Sequence, residues 1–548
     1  MNLMKTKIII ALLLGSSLCF TACNEYLDMT PTDKVSDKLM WSKVEYAELA
    51  INNFYSYINY FGNFSDGQCS AGKTEGLTDI FKYSSMTYNA HMYIPNELAY
   101  GGSVLTTNYV AVYLGNWSTV YEDVRRVNEG ISNLKKYGTF SDDDTNRLEA
   151  EMRFFRGLLY FDLVKRYKQV IIYDEDLTQI QTNKALSTEK EGWDFVEQDL
   201  EYAAKYLPVK TTANGRLTSG TAYALLSRAM LYAERWDIAK SAAEKVMKMG
   251  YALESSYANA FKSNNKEAIF QYTYDKSGVT HSFDNYFAPG GDKGNDMSGG
   301  YGTPTQEMVE SFELATGGFP DWSTWHTQTG TSEEPPYASL EPRFQATVLY
   351  NGATWKNRTI EPYVGGTDGW CTWKDDAVPA GRTTTGYYLK KLVDETHDFT
   401  TLTASTQPWI AFRYAEVLLN YAEACYQLSD PADANTAVRE IRTRVGLPYA
   451  DKSGDALMAA IRQERKVELA YEGLYYWDMR RWKLADKSFT GIRVHGLKIE
   501  KNVDGSFKYT YVDCDKQDRN FPTKMYQIPL PTDELNNNSA IQQYAEWR

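Results

Sequence analysis

The stretch Ile461 to Trp482, IRQERKVELAYEGLYYWDMRRW, constrains the fold more than any other segment of this chain. Leu457, Ile461, Val467 or Glu468, and Tyr471 recur at near-helical intervals, which predicts a long amphipathic helix. Its unusual feature is charge on a face that also carries Leu469, Tyr471, Leu474 and Trp477. Glu464, Arg465, Glu468 and Glu472 stand at helical spacings, so carboxylates and guanidinium share one stripe. Gly473 interrupts the pattern, and Tyr475, Tyr476, Trp477, Asp478, Arg480, Arg481 and Trp482 follow. Two readings stand side by side. Paired carboxylates held by arginines could serve acid/base chemistry. Arg–carboxylate forks could instead lock helix to helix. The second is favoured, because structural ion-pair networks also concentrate charges in this way.

Other segments extend the helical pattern. Trp41 to Tyr60 carries Val44, Ala47, Ile51, Phe54 and Ile58 in helical register. Trp117 to Tyr137 and Asp143 to Tyr167 predict a helical pair. The second opens on Ser141-Asp142-Asp143-Asp144, a run that suits a helix N-terminus better than a metal site. Gly192 to Tyr206 is another helix. From Thr218 to Met249, Leu226, Ser227, Met230, Trp236, Ala239, Ala243 and Val246 stand near the offsets of a tetratricopeptide repeat. Small residues at 227 and 239 would let two antiparallel helices approach closely, while Glu234 replaces the usual turn glycine. Ala411 to Leu428 and Ala434 to Arg444 form a further pair, with Ala411, Ala415, Leu418, Ala422 and Cys425 on one face. Stacked helix pairs are the expected scaffold.

Two regions differ. Phe61 to Thr107 is rich in Gly, Ser, Asn and Tyr and reads as long loops, which in a compact protein are usually functional. Ile269 to Tyr274 alternates like a strand, and from Asp275 to Gln407 helical signal is nearly absent. Gly-Gly turns recur there at 290, 299, 317 and 365. Five of the 13 tryptophans, Trp322, Trp325, Trp355, Trp370 and Trp373, fall in that region. Clustered Trp on Gly-rich loops is costly unless the rings are buried or bind something. After Trp482 the chain reads as loop and short strand.

Composition narrows the function. The 548 residues carry 42 Tyr, 22 Phe and 13 Trp, rings that combine an apolar face with a polar edge. A net charge of −13 repels phosphate backbones and argues against nucleic acid. Lys5 and Lys7 precede a short apolar run, Ile8 to Leu14, with the layout of a secretory signal. The run ends at Phe20-Thr21-Ala22-Cys23, which resembles a lipobox. Cys23 would then be lipidated and become the new N-terminus, leaving residues 1–22 as signal peptide. Cys19 is a poorer lipidation candidate because Leu18 precedes it, and beyond these two, Cys69, Cys371, Cys425 and Cys514 form no CxxC pair. A Cys69–Cys371 disulfide is compatible with export. The five histidines, His91, His281, His326, His397 and His495, show no metal-ligand spacing, and no nucleophile elbow, Walker loop or GxGxxG occurs. A glycosidase carboxylate pair stays open, though no pair stands in a recognisable setting.

Several motifs in order resemble the SusD/RagB family of outer-membrane lipoproteins from Bacteroidetes. They are Cys23-Asn24-Glu25-Tyr26-Leu27-Asp28 with Pro31, Glu149 to Gly157 with Tyr160 to Leu163, and Glu341-Pro342-Arg343-Phe344. Arg413 to Val417 with Tyr421 to Ala424, and Glu464-Arg465 through Glu472-Gly473 to Trp482, complete the series. The likeness spans nearly the whole chain after Cys23. It implies a mainly α, SusD-like fold: a signal peptide at 1–22, a helical region at 23–274 with tetratricopeptide-type pairs, a ligand-binding insert at 275–407 and a C-terminal helical region at 408–548. It implies a glycan-binding lid on a SusC-like TonB-dependent transporter, without catalysis and without cofactor; a structural Ca²⁺ stays open. A peptide-capturing lid of the RagB type is the alternative, and a glycan-degrading enzyme a more distant one. In the family the ligand surface comes from the early loops and the insert, which here hold Asp79, Lys82, Tyr83, Tyr286, Tyr301, Trp322, Trp325, Trp370 and Trp373.

Overall fold

Helix caps fix where the scaffold's elements begin. In a computed structural model, which describes residues 37–60, 74–83, 90–179, 183–211, 215–292, 299–372, 382–397 and 405–548, α1 spans Val44–Asn52 and α2 Ala90–Tyr100. Then come α3 (Trp117–Tyr137) and α4 (Asp142–Tyr167). Ser141 caps α4 by accepting the Asp144 N–H, and three aspartates fill the first turn opposite Lys165 and Arg166 in the last. The acid run is therefore a cap, as its position predicts. The α5 helix (Glu189–Tyr206) starts three residues earlier than its apolar pattern suggests, because Thr188 and Glu191 form a reciprocal capping box.

Next come α6 (Ser219–Tyr232) and α7 (Trp236–Met247), then α8 (Tyr414–Gln427), α9 (Pro431–Arg444), α10 (Gly454–Glu468) and α11 (Tyr475–Arg481). From α3 to α10 each helix packs on the next in chain order, and α7 packs on α8 across the 166 residues between Lys248 and Arg413. The stack is continuous, and the loop-rich segment emerges from the middle of it. Ser227, Ala239 and Ala243 are fully buried at the contacts, as their size requires. Asn420 of α8 donates to the Ser227 hydroxyl at 3.1 Å, tying one pair to the next. Glu234 adopts a left-handed φ of 57° at the turn where a glycine would be relaxed.

The opening stretch breaks before Gly473, where its pattern places the interruption. The α10 helix ends at Glu468; Tyr471 (φ 64°) and Gly473 (φ 76°) turn the chain, and α11 starts afresh. Its charges are structural. Glu468 is fully buried between Arg343 at 3.1 Å, Arg413 at 2.7 Å and Arg444. Arg413 also reaches Glu267 and Glu472 at 2.7 Å each, and Arg442 ties Glu464 to Glu313. Burial alone would raise the Glu468 pKa, but the three guanidinium groups hold it well below the usual carboxylate range. Neither Glu464 nor Glu468 is open to a substrate.

Strands are few and short. They are β1 (Phe81–Tyr83), β2 (Ala268–Tyr272), β3 (Gly302–Pro304), β4 (Trp409–Arg413), β5 (His495–Lys501) and β6 (Phe507–Asp513), with some two-residue pieces besides. They pair antiparallel as β1–β3, β2–β4 and β5–β6. Three expectations are corrected here. The β4 strand takes Ala411, whose carbonyl accepts from Arg228, so α8 begins only at Tyr414. The early loops contain β1 and α2; Pro95 inside α2 spoils the local signal, and tertiary contacts to Asn96 and Tyr100 hold the helix. The C-terminal region contains a hairpin of two seven-residue strands rather than short strands alone. Cys23, Cys69 and Trp373 lie outside the described residues, and Cys425 and Cys514 are buried free thiols. Among the described residues no helix is long and apolar enough to cross a membrane.

Candidate functional site

Two strand pairs gather the residues selected from the sequence. In β1–β3, Tyr83 faces Gly302 and Phe81 faces Pro304. A side chain at position 302 would place its Cβ 2.2 Å from the Phe81 ring, so the pairing requires glycine. It sets Asp79, Lys82 and Tyr83 of the early segment beside Tyr301 and Tyr286 of the insert. The Tyr301 N–H donates to the Tyr286 carbonyl at 2.9 Å, and the two rings lie 4.9 Å apart.

Most of this first group is committed to holding the structure. Lys82 is 1% exposed; its ammonium donates to Asn96 at 2.7 Å and Tyr100 at 3.1 Å and pairs with Asp515 at 3.3 Å. Asp79 pairs with Lys466 of α10 at 2.8 Å, and its carbonyl accepts from Thr305. Tyr83 and Tyr301 are buried, while Tyr286 is half-buried at the edge of the group.

The β5–β6 hairpin organises the second group. Thr331 and Tyr509 exchange backbone hydrogen bonds at 2.9 and 2.8 Å, and the Tyr511 N–H donates to Thr327 at 3.0 Å. The loop thus pinned to β6 carries Trp322 and Trp325, edge to face with centroids 5.5 Å apart. The Trp325 indole N–H donates to the Glu333 carbonyl at 2.9 Å. At 6% and 9% exposure these two rings form a small core rather than an open platform. Trp370 is half-buried, with the Lys498 ammonium of β5 at 5.7 Å from its centroid. Thr385 joins the groups: its hydroxyl donates to Thr303 at 3.0 Å and its carbonyl accepts the Leu497 N–H at 2.9 Å.

On the hairpin lies a cluster that the sequence reading missed. The Tyr511 ring stacks on His495, 4.4 Å away at 18°, and meets His326 at 4.6 Å on a tilt. His326 Nε2 is hydrogen-bonded to Glu310 at 2.6 Å, and His495 Nδ1 to Glu307 at 2.6 Å. Asp513 lies 3.3 Å from His495 Nε2. Burial lowers the His495 pKa, but the hydrogen bond and charge of Glu307 outweigh it, and the net shift is upward. Burial likewise raises Glu307, against the pull of His495. The result is a partly exposed row of three rings edged by carboxylates. Its members come from positions 307 to 326 and 495 to 513, and strand register joins them without any local motif.

One group with metal-ligating atoms occurs among the described residues: Cys425, Asp430 and Asp433, with ligand atoms within 4.8 Å of one another. Lys240 pairs with both carboxylates, at 2.7 and 3.4 Å, and Tyr421 donates to Asp433 at 2.7 Å. Those contacts already satisfy the group.

A stack of helix pairs from which aromatic-rich loops emerge is a SusD-like fold. This chain belongs to the SusD family, whose profile matches residues 266–547. A second profile, described as starch-binding associating with outer membrane, matches residues 25–231. SusD-like protein P2 of Formosa agariphila is 27% identical over 449 residues, 78% of each chain. A SusD-like protein from Bacteroides fragilis has a TM-score of 0.79 at 28% identity, covering 94% of this chain and 99% of that one. A SusD-like carbohydrate binding protein from the same organism has a TM-score of 0.76 at 22% identity, over 92% of this chain and 100% of the other.

Proposed function

We propose that this protein captures a neutral oligosaccharide at the cell surface and passes it, chemically unchanged, to a SusC-like TonB-dependent transporter. Lipid on Cys23 would anchor it in the outer membrane. The observation that carries the reading is the Tyr511 row with its flanking His326 and His495 and the carboxylates at its edges. Sugar rings offer apolar C–H faces that stack on aromatic rings, and hydroxyls that need acceptors and donors at the rim. Trp370 and Tyr286 are further half-buried rings of the insert. Glu307, Glu310 and Asp513 put negative charge there, which disfavours uronates and sulfated sugars. The carbohydrate-binding relative and the starch-binding family description support the same class of ligand.

The test is affinity electrophoresis of the full chain through a panel of neutral and acidic polysaccharides, with reducing ends assayed after incubation. The expected result is retardation by at least one neutral glycan with no new reducing ends. New reducing ends would make the protein an enzyme. Indifference to every glycan, together with binding of an extended peptide, would make it a peptide-capturing lid.

A further inference from the structure

A cavity of about 510 Å³ opens in the helical stack, lined by residues of α4 to α8, α10 and α11. Six cationic side chains line it: Lys165, Lys168, Arg462, Arg480, Arg481 and Lys483. Three carboxylates face them, Glu189, Glu234 and Glu423. Some of this charge is spoken for. Arg481 is held by Glu423 and by Asp478 at 2.8 Å, and Lys165 pairs with Asp162 at 2.9 Å. Arg462 lies over the Trp482 ring at 5.2 Å.

Arg480 is different. It is 4% exposed, and none of its three guanidinium nitrogens donates to any group among the described residues. Its cation lies over the rings of Trp477 at 4.7 Å and Tyr476 at 5.6 Å. Such stacking uses the face of the guanidinium and leaves its in-plane N–H donors unanswered. Nearby charge adds to the cost: Arg166 lies close enough to lower the Arg480 pKa further, after burial itself. Burial, and then the charges of Lys168 and Arg480, lower the pKa of Lys483 as well. Elsewhere in this scaffold a buried arginine such as Arg343 or Arg413 is met by three carboxylates.

We propose that this cavity is a binding site for a tetrahedral oxyanion, phosphate or sulfate, with Arg480 at its base and Lys168 and Lys483 at its mouth. An oxyanion there would accept charge-assisted hydrogen bonds from the in-plane donors of Arg480 and neutralise the surplus of cations. The Trp477 and Tyr476 rings pack against the guanidinium and hold it in place before the ion arrives. The site is separate from the ledge on the insert and does not depend on glycan capture. The oxyanion could be a free ion or a phosphoryl or sulfuryl group carried on a sugar.

The experiment uses the full chain, desalted into chloride buffer of fixed ionic strength. Inorganic phosphate and inorganic sulfate are titrated separately by calorimetry, with thermal unfolding followed in parallel. The expected result is saturable binding of at least one ion and a saturable rise in Tm, both absent in Arg480→Met. The rim variant Lys168→Ala/Lys483→Ala should fold and bind the ion at least tenfold more weakly. Glucose 6-phosphate and glucose 6-sulfate separate the two sources. Binding tighter than that of the bare ion supports a group on a sugar, and equal or weaker binding supports the free ion. The absence of saturable binding by every one of these probes in the parent protein overturns the proposal. So does an unchanged response in Arg480→Met or, if that variant does not fold, in the rim variant.

Discussion

The scaffold and the ledge on the insert use the same side chains to opposite ends. In the scaffold, arginine and glutamate are sealed away from water and from one another's alternatives: Glu468 meets three guanidinium groups, and Arg413 three carboxylates. On the ledge, Glu307 and Glu310 each hold one imidazole and keep some exposure to solvent. A buried, saturated charge is committed to one geometry, because losing a partner strands the other ion. A half-exposed charge can exchange water for a ligand hydroxyl at small cost. Charge in the scaffold is buried and saturated, whereas charge and rings on the ledge stay partly open to solvent.

The largest effect expected from breaking this contrast lies in the scaffold. Glu468→Gln should lower unfolding free energy by roughly 3–5 kcal/mol, since three buried guanidinium groups lose their shared counter-ion. Urea denaturation reads this directly, and a loss below about 1 kcal/mol would show that the network is dispensable.

A pH effect of comparable size comes from Glu75. This carboxyl is buried beside the turn between α10 and α11, where it accepts the Gly473 N–H at 3.1 Å. Burial pushes its pKa up to about 8, against an ordinary 4.5. The native state therefore holds a proton that the unfolded chain releases. Stability from this group is complete below about pH 4.5 and is lost as pH climbs through about 8. The loss across that window is on the order of 3–5 kcal/mol. Glu75→Gln should remove it and make the protein more stable than the parent at pH 8, as measured by Tm against pH.

On the ledge the expected effect is smaller and of another kind. Tyr511→Ala should weaken binding of a retained glycan roughly tenfold, about 1.4 kcal/mol, as one stacking ring is lost. Its two histidine neighbours keep their carboxylate partners. Alanine at Trp322, Trp325, Tyr83 or Tyr301 is a poorer probe, because these rings are buried and their loss costs packing. The smallest effect belongs to the turn between α6 and α7. Glu234→Gly should stabilise by about 0.5–1 kcal/mol, relieving a left-handed φ at a residue with a Cβ.

Much of the scaffold was legible because its signals are local. Caps, apolar stripes and small residues at crossing points lie within a turn or two of the elements they define, so the fold class and most helix positions followed. Where a helix depends on distant contacts, as Ala90–Tyr100 depends on Lys82, the local pattern reads as loop. The break between α10 and α11 is half visible in the sequence: Gly473 marks it, whereas the left-handed Tyr471, whose hydroxyl donates to the Ile80 carbonyl at 2.9 Å, carries no local signal. The ledge was the least legible. Tryptophan clustering draws attention to the insert, yet Trp322 and Trp325 pack inward. The β5–β6 register brings His495 to Tyr511, and the pairing of the Trp loop with β6 adds His326 from far away in sequence.

The central claim is that glycan capture occurs on the Tyr511 row. Calorimetric titration of a retained neutral oligosaccharide into the parent protein and into Tyr511→Ala tests it most directly. The account predicts saturable binding by the parent, a Kd raised about tenfold in the variant, and matching thermal unfolding of the two proteins. Equal affinity in both, with both folded, would contradict it.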